Sequence, residues 1–415
     1  MPADLAVLCP GHLGLPAAQA ATAAGIGTVG FTSDPRAAAR LNAGRPPSDG
    51  SLSTGDLRRM LAAGFRATSD PAVLGRVRTA LICAPTPPGH DHAPDLTALR
   101  AAASDLAPRL RPRTLVVLES AVTPGTTENV LRPLLEAGSG LRAGRDFHLA
   151  HAPARTDPDP APAPRGTHHG AGPRVIGGLT SACTEAAAAF YGRLTDKVVR
   201  ARGLAEAEAV KVLETNARHV GIALANEMAV LCHDLGIDLW DVVRCAETRP
   251  PGLQHLRPGP GVGGHTMPLL PPGRRLPLAD LARQTNARMP AYVTRRAAAL
   301  LNEHGKSARG ARVLLLGVTA RPDRPDEQGA PAHEIARRLL DLGAHLTYHD
   351  PFVTDWRVRG TPVPRADTFY EAAANADLTV LLQHHSTFDL QGLAAKAPLL
   401  LDTQGATPAG AAHRL

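Results

Sequence analysis

The chain of 415 residues predicts an α/β protein with two doubly wound parallel-sheet domains joined by a long central helix. Three observations carry this. Short apolar runs alternate with helical stretches through the first 200 residues and again after residue 303. A helical register runs from Leu204 to Gly236 without a proline. The length also exceeds what one hydrophobic core usually serves.

The elements follow in order. "LAVLCPGHLGLPAAQAATAAGIGTVGFTSDP" reads as strand, tight glycine turn, alanine-rich helix and strand, the start of a βαβ unit. Strands are expected at "TALICAPTP", "TLVVLES", "FHLAHAP" and "PRVIGG", with a helix in "APDLTALRAAASDLAPRL". Residues 157–172, "DPDPAPAPRGTHHGAG", are polar and of low complexity and read as a mobile loop. The long register from Leu204 is of a length that spans domains or builds a dimer interface. After the glycine-rich stretch "GPGVGGHTMPLLPP", "ARVLLLGVTARPDRPDEQGAPAHEIARRLLDLGAHLTYHDP" reads as a second strand, loop, helix and strand.

Composition narrows the partners. The net charge of +7 is scattered, and aromatics make up only 3% of the chain, so no basic stripe interleaved with aromatics marks a nucleic-acid groove. No apolar run is long enough for a membrane span, and the first strand starts almost at Met1, so a cytoplasmic protein is expected. The five cysteines lack CxxC spacing and read as reduced thiols in a core. The histidine pairs His90 and His92, His168 and His169, and His384 and His385 lack a third-ligand signature. They read as surface residues, and no metal is expected.

The segments "ESAVTPGTTENVLRPLLE", "PRVIGG", "VKVLE" with "ALANEMA", "RPGPGVGGH", "GAPAHEIARRLLDLGA" and "YHDP" occur in an order and spacing that resemble the UDP-glucose/GDP-mannose dehydrogenase family. The resemblance covers nearly the whole chain. It implies a Rossmann-like dinucleotide-binding domain at 1–200, a central helical dimerisation domain at 201–302 and a nucleotide-sugar-binding Rossmann-like domain at 303–415. It further implies a homodimer, NAD or NADP as cofactor, and a nucleotide sugar or related biosynthetic intermediate as ligand.

Members of that family oxidise a primary alcohol to a carboxylate in two hydride transfers, holding the intermediate on a cysteine thiol. By the resemblance, that cysteine falls on Thr266, and an aspartate four positions later falls on Leu270. The threonine that orients water is Ala121, the glutamate base is Ala154, and the oxyanion-stabilising asparagine is Thr215. Asn216 follows one residue later, turned about 100° around the helix. Lys211 matches, in a chain with only four lysines. Its bland alternative is a helix lysine paired with Glu208 or Glu214.

The cofactor turn reads Cys9-Pro10-Gly11-His12-Leu13-Gly14, with a cysteine where the first glycine of the fingerprint belongs. The acid expected on the ribose is Thr32, while Asp34 reads as a helix cap. Cofactor binding is therefore expected to be weakened or lost, with Pro85, Thr86, Glu119 and Ala121 completing the implied cofactor set. The implied substrate set is Ala154, Asn226, Arg257, Gly259, Gly261, Gly263, Gly264, His265, Arg321 and Gln328, where Gln328 and Gln404 stand at family arginines.

These replacements lead to the expectation of a retooled enzyme of specialised metabolism, performing two-electron redox or non-redox lyase or cyclase chemistry with Lys211 as acid or base. The alternatives are a non-catalytic ligand- or partner-binding pseudoenzyme and an ordinary NAD-dependent sugar dehydrogenase with unusual residues. On the first reading UDP-glucose, GDP-mannose and their N-acetylated relatives are not converted to uronic acids with either NAD or NADP, and Thr266→Cys alone does not restore turnover.

Overall fold

The computed structural model describes residues 3–47, 50–87, 94–154, 173–248, 257–263, 274–327 and 329–415. The chain divides into two compact units, residues 1–215 with 267–274, and residues 216–266 with 275–415.

In the first unit, strands β1 (Leu5–Leu8), β2 (Thr28–Phe31), β3 (Arg66–Thr68), β4 (Thr79–Ile82), β5 (Leu115–Leu118), β6 (His148–His151), β7 (Arg174–Gly178) and β8 (Val198–Arg200) form one sheet in the order 3-2-1-4-5-6-7-8. The first six stand in the order of a dinucleotide-binding Rossmann sheet. Helices α1 (Gly14–Ala23), α2 (Pro35–Asn42), α3 (Thr54–Ala62), α4 (Thr97–Leu106), α5 (Arg132–Ser139) and α6 (Ser181–Tyr191) connect them, and α7 (Leu204–Asp234) follows. β1, β4 and β5 are buried throughout and apolar apart from Thr79, as a parallel sheet covered on both faces requires. The sheet is mixed, however: β7 runs antiparallel to β6, then β8 returns parallel to β7. Two apolar cores, one around Leu15, Phe65 and Tyr191 and one around Leu99, Leu118 and Phe147, fill the unit.

The expected long helix is α7, running to Asp234. Its residues from Asn216 onward belong to the second unit, which continues with α8 (Leu239–Ala246), α9 (Pro277–Glu303), β9 (Arg312–Leu316), α10 (Pro331–Asp341), β10 (His345–His349), a short hairpin β11 (Arg357–Val358) and β12 (Thr361–Pro362), α11 (Phe369–Asn375), β13 (Leu378–Leu381), α12 (Leu390–Lys396), β14 (Leu400–Asp402) and β15 (His413–Arg414). Its sheet order is β10-β9-β13-β14-β15 and every pairing is parallel. The core packs α9 and α10 on this sheet around Val293, Ile335, Tyr348 and Trp356.

Local signals explain the boundaries. Asp34 accepts from Arg36 N at 2.8 Å, so it caps α2 as the sequence suggested. Thr180 and Asp238 cap α6 and α8 in the same way, and Pro35, Pro277 and Pro331 open their helices where a missing N–H costs nothing. Cys83, Cys183 and Cys232 are buried and Cys9 partly so, but Cys245 is exposed, against the expectation of a core thiol. Its place on the outer side of α8 accounts for this. No helix among the described residues is long and apolar enough to cross a membrane.

Candidate functional site

The cofactor turn lies where the strand order reverses between β1 and β4, the crevice at which such sheets bind ligands. Cys9 takes φ = +60°, the left-handed conformation that a fingerprint glycine serves without a Cβ penalty. Its backbone closes the turn, with Gly11 N donating to Cys9 O at 2.8 Å. Burial pushes the Cys9 thiol up to about 11, with Asp105 adding to the shift, so it is a packing group. A Cβ at Gly11 would meet nothing within 4 Å, while one at Gly14 would meet Cys9 O and Val7 Cγ1 at 2.9 Å and Cys83 Cβ at 3.3 Å. Gly14 is therefore the close-packing glycine and Gly11 the open one. Leu13 is the N-cap of α1 and makes no side-chain cap bond, which leaves the helix N-terminus as a donor surface for an anion. His12 is half-buried in the same turn. These residues fit the pyrophosphate of a dinucleotide. At the end of β2, Thr32 Oγ1 accepts from Asp34 N at 3.3 Å, so the ribose position offers a hydroxyl already in use.

The strand ends beyond β4, β5 and β6 are tied together. Thr86 Oγ1 donates to Ala121 O at 2.7 Å, with Pro85 exposed beside it. Glu119 is 2% exposed and accepts from Arg174 at 2.5 Å, from the Tyr191 hydroxyl and from the Cys83 thiol. Arg174 also donates to Ala152 O at 3.3 Å and stacks 5.0 Å from the Tyr191 ring centroid. Ala154 N donates to Glu119 O at 3.1 Å. Burial would lower the Arg174 pKa, but the Glu119 carboxylate outweighs it and holds the guanidinium charged. Burial beside the same carboxylate pushes the Cys83 and Tyr191 protons well above their ordinary range. Glu119 is thus a buried clamp between β5, β7 and α6, and it fixes the Ala152–Ala154 turn. Buried His151, at the end of β6, is held neutral by burial and by Arg174, its pKa lowered to about 3.

On α7, Lys211 is half-buried, and Thr215 and Asn216 are buried. One turn before Lys211, Glu208 is fully buried and binds Gly125 N at 2.5 Å, Thr127 N at 2.7 Å and Thr127 Oγ1 at 2.6 Å. Burial raises its pKa against these bonds. Glu208 therefore anchors the "PGTTE" turn to the helix that carries Lys211.

In the second unit, Asn226 is fully buried: its Oδ1 accepts from Gly259 N and its Nδ2 donates to Asn286 Oδ1, both at 2.9 Å. A Cβ at Gly259 would find only Gly261 O, at 3.9 Å. By contrast, a Cβ at Gly261 (φ = +139°) or Gly263 would come within 3.2 Å of Pro331, so both positions are closely packed. Arg257 is exposed and 3.8 Å from Glu247, and Arg321 pairs with Asp326 at 2.6 Å. Gln404, at one family arginine, donates to Leu382 O at 2.7 Å. His385 is not a surface residue. It is fully buried, bonded to Asp350 Oδ2 at 3.0 Å and to Asp323 N at 2.9 Å, because it pins the loop after β9 to the end of β10. Gly264, His265, Thr266, Leu270 and Gln328, the 157–172 loop and the other two histidine pairs, His90 with His92 and His168 with His169, lie outside the described residues.

Sequence reasoning missed Arg174, Tyr191, Asn286 and the clamping role of Glu208. Each is an ordinary residue of a strand or helix, and only tertiary contact reveals its partner. A charged residue inside the apolar strand "RVIGG" was the one available signal.

Comparison with known proteins agrees with this architecture. The UDP-glucose/GDP-mannose dehydrogenase family patterns match in chain order: the NAD binding domain at residues 3–195, the central domain at 205–290 and the UDP binding domain at 314–409. The UDP-N-acetyl-D-mannosamine dehydrogenase of Pyrococcus horikoshii is 31% identical over 400 residues, covering 92% of this chain and 90% of that protein. The Escherichia coli K12 enzyme of the same name is 29% identical over 408 residues, covering 93% and 94%. Among solved structures, the Pyrococcus horikoshii enzyme superposes with a TM-score of 0.82 at 27% identity, covering 99% of this chain and 98% of that one. The UDP-N-acetyl-mannosamine dehydrogenase from Staphylococcus aureus gives 0.82 at 26%, covering 99% and 97%. These findings correct the expectation of a retooled enzyme of specialised metabolism or a pseudoenzyme. That expectation weighed a handful of single-position replacements, Thr266 foremost, above agreement along the entire chain, and the whole-chain agreement points to a dehydrogenase. With all three of its domains present in order, the chain belongs to the UDP-glucose/GDP-mannose dehydrogenase family.

Proposed function

We propose that the chain is an NAD-dependent dehydrogenase acting on a UDP-linked N-acetylhexosamine. The observation that carries the reading is the open Gly11 turn at the uncapped start of α1, within the segment that matches the NAD binding domain. The names of the relatives at 29–31% identity support the substrate class. NAD supplies the hydride acceptor. The chain's part is to hold its pyrophosphate at Gly11, His12, Leu13 and Gly14, to keep the Ala152–Ala154 turn in place through Glu119 and Arg174, and to present Lys211 from α7. Thr215, Asn216 and Thr266 complete the set assigned to the chemistry, with Ala121 assigned to the cofactor and Ala154 to the substrate.

The three-part division at 1–200, 201–302 and 303–415 and a homodimer belong to the same proposal. Leu213, Leu224 and Leu231 of α7 are 72%, 49% and 50% exposed, an apolar row that a second copy would cover. The test is purified protein with NAD and UDP-N-acetyl-D-mannosamine, followed by NADH absorbance. Sugar-dependent NADH is expected, and the ratio of NADH to sugar consumed, one for an aldehyde and two for an acid, reads how far oxidation runs with threonine at 266. No NADH with any UDP-N-acetylhexosamine, and no binding of one by calorimetry, overturns the reading.

A further inference from the structure

We propose that Asn286 is a positioning residue for the nucleotide-sugar side of the site, acting through Asn226 on the glycine loop; this rests on the dehydrogenase reading above. Three hydrogen bonds run in one direction. Gly259 N donates to Asn226 Oδ1 at 2.9 Å, Asn226 Nδ2 to Asn286 Oδ1 at 2.9 Å, and Asn286 Nδ2 to His219 O at 3.1 Å. The two ends fix both amides, since a backbone N–H can only donate and a carbonyl can only accept. Neither side chain can flip without setting two like groups against each other. Asn226 is fully buried and Asn286 is 4% exposed, so losing one partner leaves a buried amide group unpaired and weakens the whole relay.

The loop it holds is tightly constrained. Gly261 rests against Pro290 and Pro331, and Gly263 against Ala320 and Pro331, leaving Gly259 as the one position of the three with room at its Cβ. Asn226 fixes the N–H of that open residue. Pro290 lies one turn beyond Asn286 on α9, where its missing N–H breaks the helix ladder at the Asn286 carbonyl and allows a local bend. Helix α9 therefore sets the loop geometry from two adjacent turns, by an amide and by a proline ring, without Asn286 touching a ligand.

The test compares wild type, Asn286→Leu and Asn286→Asp, with calorimetric binding of UDP-N-acetyl-D-mannosamine, kcat and KM as readouts and NAD binding as control. Asn286→Leu is expected to weaken sugar binding at least tenfold with NAD affinity unchanged. Asn286→Asp is the sharper variant. Ionised, its second oxygen faces the His219 carbonyl, but protonated it supplies the O–H that the carbonyl needs. Its sugar affinity relative to wild type should therefore be low at pH 8 and recover as the pH falls. The His219 imidazole and the Glu227 carboxylate, which lies 3.4 Å from Thr285 Oγ1, are common to both proteins and cancel in that ratio. A merely structural role would give no such recovery. If Asn286→Leu does not fold, the Asn286→Asp ratio decides alone. Variants that bind the sugar within twofold of a binding wild type, or a ratio flat with pH, overturn this proposal alone. A wild type that binds NAD but no UDP-sugar overturns the dehydrogenase reading and this proposal with it.

Discussion

Two glycines three residues apart should separate folding from cofactor binding. Alanine at Gly14 places a methyl 2.9 Å from both Cys9 O and Val7 Cγ1, one of them immobile backbone, so β1 and α1 must move apart. Overpacking of this kind costs about 1–3 kcal/mol. Alanine at Gly11 meets nothing within 4 Å and needs no left-handed backbone, so the apo protein should be unchanged or stabilised by up to about 1 kcal/mol through the less flexible unfolded chain. The same methyl projects from the turn that would hold the pyrophosphate, and a tenfold loss of NAD affinity, about 1.4 kcal/mol, is the minimum expected. Urea unfolding monitored by circular dichroism and calorimetric NAD titration of both variants read the two effects. Gly11→Ala binding NAD as tightly as wild type, or unfolding as early as Gly14→Ala, would show that this turn does not face the cofactor.

Three further outcomes are expected. Thr32→Asp should tighten NAD binding severalfold, about 1 kcal/mol, by restoring a carboxylate for the ribose hydroxyls, and leave NADP binding unimproved; equal gains for both in calorimetry would refute it. Arg174→Leu leaves Glu119 buried without its cation and should cost about 3–5 kcal/mol in urea unfolding, much of it recovered in the Arg174→Leu, Glu119→Gln double variant. For His151, the folded pKa lies near 3, below the ordinary value of 6.5, so the unfolded chain binds the proton more readily and stability falls as pH drops from about 6.5 toward 3. The limiting slope is about 1.4 kcal/mol per pH unit, and His151→Phe should flatten that part of a stability-against-pH curve.

The fold could be read because its signals are local. The runs "LAVL", "TALI" and "LVVL" are buried strands because they are apolar apart from Thr79, and Asp34 caps α2 two residues from where its carboxylate acts. The antiparallel entry of β7 was not legible, since a strand's direction is set by what it pairs with and "RVIGG" is the same apolar run either way. The site divides similarly. Gly11 and Gly14 are alike in the sequence, and only the surroundings of a Cβ, open at Gly11 and crowded at Gly14, tell them apart. The closeness of Gly261 and Gly263 to Pro331 is not legible either, because a glycine needed for a phosphate and one needed for a proline ring look identical in sequence. His385 was placed on the surface because its partners Asp323 and Asp350 lie 62 and 35 residues away.

The unequal exposure of the five thiols makes the chain its own reporter. A maleimide dye should modify Cys245 at once and leave Cys83, Cys183 and Cys232 unmodified until their surroundings open, while Cys9, with its proton held to about 11, reacts slowly even where it is reachable. Counting dyes by intact mass against time then records local opening without an added probe. Cys83 and Cys183 report on the first compact unit, and Cys232 on the second. A ligand that orders one unit would slow its own buried thiols and leave the other's rate as an internal clock.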